Sequence, residues 1–216
     1  MPHDGYALVE RAVALGFDAL AITLHDRQYE DARLSAYARA RGILLIPGIE
    51  RTVAGRHILL LNFAAEAVDR VRSFEDLAAL RRAGAGLVVA PHPFFPDRSC
   101  LGARLDAHAA LVDAVEWSYF WTRGVNFNAR AARWAAAHGK PVVGNSDLHD
   151  LRQLGRTYSL VDAPRDAAAI CDAVRAGRVE LRTSPVPPLQ LVDVFTRMLV
   201  RPRKRPAGRL APLPTS

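Results

Sequence analysis

The sequence is short of cysteine, of long apolar runs and of any N-terminal leader pattern, and each shortage narrows the reading. Only Cys100 and Cys171 occur in 216 residues. Two unclustered cysteines fit a reducing compartment and two ordinary thiols rather than a disulfide framework. No apolar run reaches the ~18–20 residues that a bilayer-spanning helix needs. The N-terminus has no basic region followed by an apolar stretch, so no secretory signal is visible. No internal repeat of fixed period occurs. Ser146 has no G-x-S-x-G context and Cys100 no Cys-His arrangement, which leaves no covalent nucleophile in view. The expectation is a cytoplasmic protein with no membrane partner.

What is present begins with size and charge. Half of the residues are apolar, which excludes general disorder. A chain of this length suggests one domain, or one with an appendage, burying roughly 70% of its unfolded surface without a staple. The formal net charge is +7, from 29 basic and 22 acidic side chains. Residues 201–216 hold five of the basic residues, no acid and four of the fourteen prolines. Without that segment the net charge falls to +2, so the charge is not a sign of nucleic-acid affinity in the remainder. The segment cannot build a periodic apolar face and is expected to be a basic, Pro-rich disordered tail.

Apolar runs alternate with helical patterns along the rest of the chain. Helices are expected over 7–15, 28–41, 73–82, 105–111, 126–138 and 165–175, with Ser73 and Asp76 as a capping pair. Strands are expected at 18–23, 43–46 (stopping at Pro47-Gly48), 57–63, 86–90, 114–117, 141–144, 157–161 and 179–182. A further helix, 189–199, precedes the tail. The boundaries are therefore 1–184 for the main unit, 185–200 for a C-terminal helical extension and 201–216 for the tail. Short apolar strands alternating with helices indicate a parallel α/β architecture. In such folds ligands bind beyond the C-terminal ends of the strands.

Polar residues concentrate at those ends. His108 and His138 lie in helical patterns and suit structural roles. The other five histidines sit at junctions: His25 after DALAIT, His92 after GLVVA, His149 with Asp147 after PVVG, His3 before the first helix, and His57 at the start of its strand. Glu50 follows ILLIPGI. On parallel strands these ends converge on one rim, and imidazole with carboxylate suits Zn, Mn or Fe. Asp147-x-His149 places two ligands on one side of an extended segment. His57 joins the rim only if its strand runs antiparallel to the one ending at Glu50; the short connection RTVAGR permits this, and a solvent-facing hairpin histidine is the alternative.

The segments ITLHD, IPGIERT followed by GRHILLL, VAPHP and GNSDLH, in this order, resemble the PHP (polymerase and histidinol phosphatase) family over nearly all of residues 3–183. The resemblance implies a distorted seven-stranded β/α barrel, two or three divalent metal ions at its C-terminal rim, and phosphoester hydrolysis. It implies metal ligation by His3, His25 and His149 at one ion, by Glu50, His57 and His92 at a second, and by Glu50 and Asp147 at a third. The family's opening H-x-H pair lies on the first barrel strand, before the position of His3. This sequence begins at Met1, so the expectation is a barrel without that strand or those two histidines. Leu24 stands where the family has Asp before the histidine, and Asp26 could substitute.

The resemblance implies a phosphatase or phosphodiesterase in which metal-bound hydroxide attacks phosphorus. Its substrate would be a small phosphorylated compound or an oligonucleotide, with nuclease or nucleotide phosphatase as a narrower form. Arg51 and Arg123 are candidate phosphate contacts. The loop WSYFWTRG offers aromatic surface that either stacks a base or packs on the rim. A metal-poor domain that only binds or regulates is the reading from another class. A third takes the tail as a nucleic-acid anchor.

Overall fold

The computed structural model describes residues 5–187. His3, the expected helix 189–199 and the tail 201–216 lie outside the described residues. Helix α1 (Gly5–Ala14) leads into β1 (Ala19–Leu24) and the two-residue β2 (Arg27–Gln28). Helix α2 (Ala32–Ala40), β3 (Leu44–Val53), β4 (Arg56–Leu61), α3 (Ala65–Val68), α4 (Phe74–Ala83) and β5 (Leu87–Ala90) follow. Then come α5 (Arg104–Ala107), β6 (Ala114–Ser118), α6 (Asn128–Ala137), β7 (Val142–Asn145), β8 (Thr157–Val161), α7 (Ala167–Arg175) and β9 (Val179–Thr183). Among the described residues no helix is long and apolar enough to cross a membrane.

Seven strands form one mixed sheet in the order β2-β1-β3-β4-β5-β6-β7, and β8 and β9 form a separate antiparallel pair. Among the described residues the sheet does not close into a barrel. The ladders β1–β3, β5–β6 and β6–β7 are parallel, as alternating strands and helices require. The exceptions are the two-residue β2, antiparallel to β1, and β4, which runs antiparallel to both β3 and β5. Ala54 (φ +47°) and Gly55 (φ +76°) make the two-residue turn between β3 and β4, with the doubly left-handed backbone that suits a tight hairpin. This is the hairpin that carries His57 back beside Glu50.

Three local expectations are corrected. The strand expected to stop at Pro47 continues to Val53, because Pro47 falls where β3 changes partners. Residues 44–47 pair with β1 and residues 48–53 with β4, so the proline is the last residue of one ladder rather than the interior of either. The helix expected from residue 28 begins at Ala32, because Arg27–Gln28 pair back onto β1 and Asp31 caps the helix, its carboxylate accepting from the Arg33 and Leu34 amides. The helix expected over 105–111 is α5 followed by a separate 3-10 turn at Ala109–Leu111. Ser73 and Asp76 form the expected reciprocal capping box at α4.

Strand alternation divides the core. Ile58, Leu60, Val88, Ala90 and Val115 face α4 and α6, among Leu77, Leu80, Ala131 and Trp134. Leu59, Leu87, Val89, Ala114 and Val143 face the other way, against Cys171 and Val174 of α7. Helices α1 and α2 pack Leu8, Val9, Leu34 and Ala38 against Ile22 and Ile43.

The antiparallel β8–β9 pair, connected through α7, lies against β7 at Gly144. The Gly144 amide donates to Ser159 Oγ at 2.9 Å. A Cβ at Gly144 would stand 2.6 Å from the Tyr158 carbonyl oxygen and 2.7 Å from the Leu181 side chain. Gly144→Ala is therefore expected to push this strand pair off the sheet. The cost of such overpacking is about 2 kcal/mol, read in thermal unfolding as a fall in Tm of roughly 4–8 °C. An unchanged Tm would show that the pair is not held here.

Candidate metal centre

Beyond the C-terminal end of β1 the chain turns at His25 and Asp26, the latter in the left-handed region at φ +50°. The turn is stitched to β3: His25 forms a parallel bridge with Glu50, and the Asp26 amide donates to the Glu50 carbonyl at 2.9 Å. The Asp26 carboxylate accepts from the Thr52 amide (2.8 Å), the Thr52 hydroxyl (2.7 Å) and Arg51 (3.1 Å). Asp26 thus ties the end of β1 to β3. Arg51 is only 4% exposed, and its guanidinium also donates to the Val71 and Asp69 carbonyls. The structure occupies Arg51 as a brace between β1, β3 and the α3–α4 connection, not as the free phosphate contact expected of it.

Glu50 is the hub. In the β3–β4 register Thr52 pairs with His57 and Glu50 with Leu59, so Glu50 and His57 share a face by the period-two rule. Its carboxylate lies 2.8 Å from His57 Nδ1, 3.4 Å from His25 Nδ1 and 3.6 Å from His92 Nε2. Burial works to raise the pKa of Glu50, but His57, His92 and His25 hold it well below the ordinary carboxylate range. His92 is reached from the end of β5, between Pro91 and Pro93, with φ +28°. Burial works to lower its pKa, while Cys100, Glu50, Glu116 and Asp147 hold it well above the ordinary value.

Donor atoms of His25, Glu50 and His57 lie within 4.8 Å of one another. Donors on one tetrahedral ion at about 2.0–2.2 Å stand roughly 3.4 Å apart, so small side-chain rotations bring this trio onto a single cation. A second observation fits. Glu50 Oε1 and His57 Nδ1 are buried without a hydrogen-bond partner, although they stand 2.8 Å from each other. They lack the alignment of a hydrogen bond, and a buried orphan pair of this kind is costly unless a cation satisfies it.

Asp147 and His149 follow β7 and form a separate corner of the rim. Asp147 has φ +42°, and its carbonyl lies 2.9 Å from His149 Nδ1. Buried Gln153 accepts from the His149 and Asp150 amides at 2.6 and 2.7 Å, fixing the loop. Asp147 acts electrostatically on His92 and Glu116, which places it on the same rim as the hub. His149 instead stands beside Phe120, ring centroids 6.2 Å apart. The structure therefore groups His25 with Glu50 and His57, whereas the family resemblance groups it with His149. The loop after β6 packs on the rim: Tyr119 and Phe120 are buried, and Trp121 Nε1 donates to Thr183 Oγ1 at 2.9 Å. Arg123 is exposed in that loop.

Two members of the site are absent from the sequence-based set. Glu116, on β6, is 2% exposed and its Oε1 has no hydrogen-bond partner. Burial, with Asp147 and Glu50 adding, pushes its carboxyl up to about 8 against the opposing effect of His92. The signal was available, since a carboxylate inside the apolar strand AVEWS is unexpected unless it serves a site. The other is Cys100, whose Sγ stands 3.1 Å from His92 Nδ1. This corrects the expectation that Cys100 has no histidine neighbour. The pair is eight residues apart across an irregular loop, a spacing with no regular period to betray it.

Comparison with known proteins bears on the fold. The PHP-associated family model matches residues 125–179. No curated protein matches the chain. Among solved structures, a two-domain protein from Bacteroides vulgatus ATCC 8482, containing a predicted PHP-like metal-dependent phosphoesterase, is similar at TM-score 0.59 and 19% identity over 87% of this chain. The chain spans 64% of the length of that protein. PsfC from Pseudomonas syringae PB-5123 is similar at TM-score 0.61 and 19% identity, with 90% of this chain and 91% of PsfC covered. A protein from Bifidobacterium adolescentis ATCC 15703 described as a metal-dependent phosphoesterase is similar at TM-score 0.56 and 19% identity, over 68% of this chain and 83% of its own. At such identity these likenesses speak to the fold. The match over residues 125–179 marks a PHP-associated segment, in a chain whose fold is similar to that of PHP-like proteins.

Proposed function

We propose that the chain is a divalent-metal-dependent hydrolase of phosphoesters acting at the rim around Glu50. The observation that carries the reading is the convergence of His25, Glu50 and His57 on one point, with buried donor atoms that no hydrogen bond satisfies. Glu50, His25, His57 and His92 would hold metal at the hub; Asp147 and His149, with His3, supply donors for a further ion. This nitrogen and oxygen donor set accepts Mn, Zn or Fe, and two or three ions are proposed. When bound, such ions lower the pKa of water and neutralise phosphate oxygens, which is the chemistry phosphoester hydrolysis needs. The chain's own part is to keep the Glu50 carboxylate ionised inside an apolar sheet and to orient the imidazoles around it. Arg123, which is exposed, would meet the rest of an anionic substrate, either a small phosphorylated compound or an oligonucleotide. In this reading the open sheet with the β8–β9 pair laid against β7 is the distorted barrel of the family.

The test uses the full chain, stripped with a chelator and reloaded with Mn²⁺, Zn²⁺ or Fe²⁺. Metal content is counted, and hydrolysis of p-nitrophenyl phosphate and bis(p-nitrophenyl) phosphate is followed. Bound metal, with turnover that chelator removes and metal restores, is the expected result. Tight binding without turnover on either ester would leave a binding module and end the hydrolase reading; no binding would end the metal reading altogether.

A further inference from the structure

Cys100 is 2% exposed and lies outside the donor set, yet it touches that set from behind. Its Sγ is 3.1 Å from His92 Nδ1, and the opposite ring nitrogen, Nε2, is 3.6 Å from Glu50 Oε1. The imidazole is thus held between a thiol on one side and the hub carboxylate on the other. The rings of Phe95 and His57 stand edge-on to it, with centroids 5.9 and 6.2 Å away. His92 follows β5 between two prolines, with the backbone at φ +28°, a region that non-glycine residues rarely occupy. The loop that carries Cys100 is itself well braced. The Asp97 carbonyl accepts from the Cys100 amide at 3.2 Å, the Pro93 carbonyl from the Gly102 amide at 2.8 Å, and the Cys100 carbonyl from Arg56 at 2.8 Å. The same loop reaches the other hub histidine, because the Ser99 carbonyl accepts from the His57 amide at 2.8 Å.

We propose that Cys100 is a positioning residue for metal binding at Glu50: its sulfur accepts the Nδ1–H of His92 and so turns the lone pair of Nε2 toward the ion. An imidazole can ligate only through a nitrogen without a proton, and the partner of the other nitrogen decides which one that is. Carboxylates and carbonyls commonly fill this place; here a buried sulfur does. Sulfur is a weak acceptor, but its burial keeps water from competing. Ser99 then sets His57 through its carbonyl, and Cys100 sets His92 through its sulfur. The inference rests on the metal reading above.

The experiment measures Mn²⁺ affinity by calorimetry on the full chain for the wild type, C100A, C100S and L101A, with Tm recorded for each. Leu101 is the adjacent core residue, 1% exposed and packed in the cluster under α4 and α6. C100A is expected to weaken Mn²⁺ binding by roughly 10–100-fold, the usual cost of losing such a partner. C100S, which keeps an acceptor at that position, should recover most of the affinity. L101A should lower Tm through its cavity and bind Mn²⁺ as the wild type does. Equal affinity of C100A and wild type overturns the inference, as does a loss in L101A that matches C100A or a failure of C100S to recover affinity. In each of those cases wild-type Mn²⁺ binding leaves the metal reading standing; absence of wild-type binding ends both.

Discussion

Glu50→Gln is expected to weaken divalent-metal binding by more than 100-fold and to remove metal-dependent hydrolysis, while the chain still folds. Glu50 is the one described side chain that meets His25, His57 and His92 together, at 3.4, 2.8 and 3.6 Å. It brings a negative charge up against all three imidazoles. Losing a partner behind a ligand costs roughly 10–100-fold in affinity, so losing the central anionic ligand should cost more. Glutamine keeps the shape and one oxygen, which limits the packing loss. Some stability is lost, and the sign follows from the depressed pKa. Glu50 is held below its ordinary value, so its ionised form stabilises the metal-free fold above the unfolded pKa near 4.5. That contribution disappears as pH falls through the folded pKa, and glutamine lacks it at every pH. A modestly lower Tm with native circular dichroism is therefore compatible with the argument. Wild-type metal content and affinity in the variant would refute it. His25→Ala is the graded comparison: His25 is 61% exposed and meets Glu50 from the outer side, so its loss should cost less than that of Glu50.

Much of this hub is legible in the sequence, because strand ends carry a position in space. His25, Glu50 and His92 each follow an apolar run, and parallel pairing brings such ends to one rim. His57 was ambiguous in spacing alone, and the Ala54-Gly55 turn resolves it by making β4 antiparallel. What was not legible depended on cross-chain contacts. Arg51 reads as a phosphate contact beside a ligand, but the brace it forms depends on Asp26, Asp69 and Val71, brought together by the sheet and the α3–α4 connection. Asp26 reads as a stand-in near the metal, yet its left-handed backbone turns it onto Thr52. Pro47 reads as a strand stop because a missing N–H breaks a ladder, and the reading fails because β3 serves two ladders in succession. Closure of the sheet is likewise not a local property: period and propensity specify strands, while closure depends on which outer strands meet.

Glu116 yields the second large effect, on the stability of the metal-free protein between pH 5 and 6.5. Its carboxyl is pushed up to about 8 by burial, with Asp147 and Glu50 adding. An unfolded glutamate titrates near 4.3. Across this window the folded state therefore keeps a proton on Glu116 that the unfolded state has released. Stability falls with rising pH wherever the folded state binds more protons, by up to about 1.4 kcal/mol per pH unit for one group. The window separates Glu116 from its neighbours. The depressed carboxylates Glu50, Asp31, Asp76 and Asp97 act below it, where pH falls through their folded pKa values. His92, raised above its ordinary value, starts to lose its contribution as pH nears 6.5, where an unfolded histidine is half deprotonated, a loss of at most about 0.4 kcal/mol by the end of the window. The wild type should lose up to about 2 kcal/mol from pH 5 to 6.5, a fall in Tm of roughly 4–8 °C. Glu116→Gln, which mimics the protonated carboxyl and cannot ionise, should hold its Tm nearly level over the same range. It should overtake the wild type in stability as pH rises, because it removes a buried charge held beside two others. Parallel pH profiles for the two proteins would mean that Glu116 is ionised in the fold at pH 5, and that the rim holds three carboxylates against its imidazoles without protonating the deepest of them.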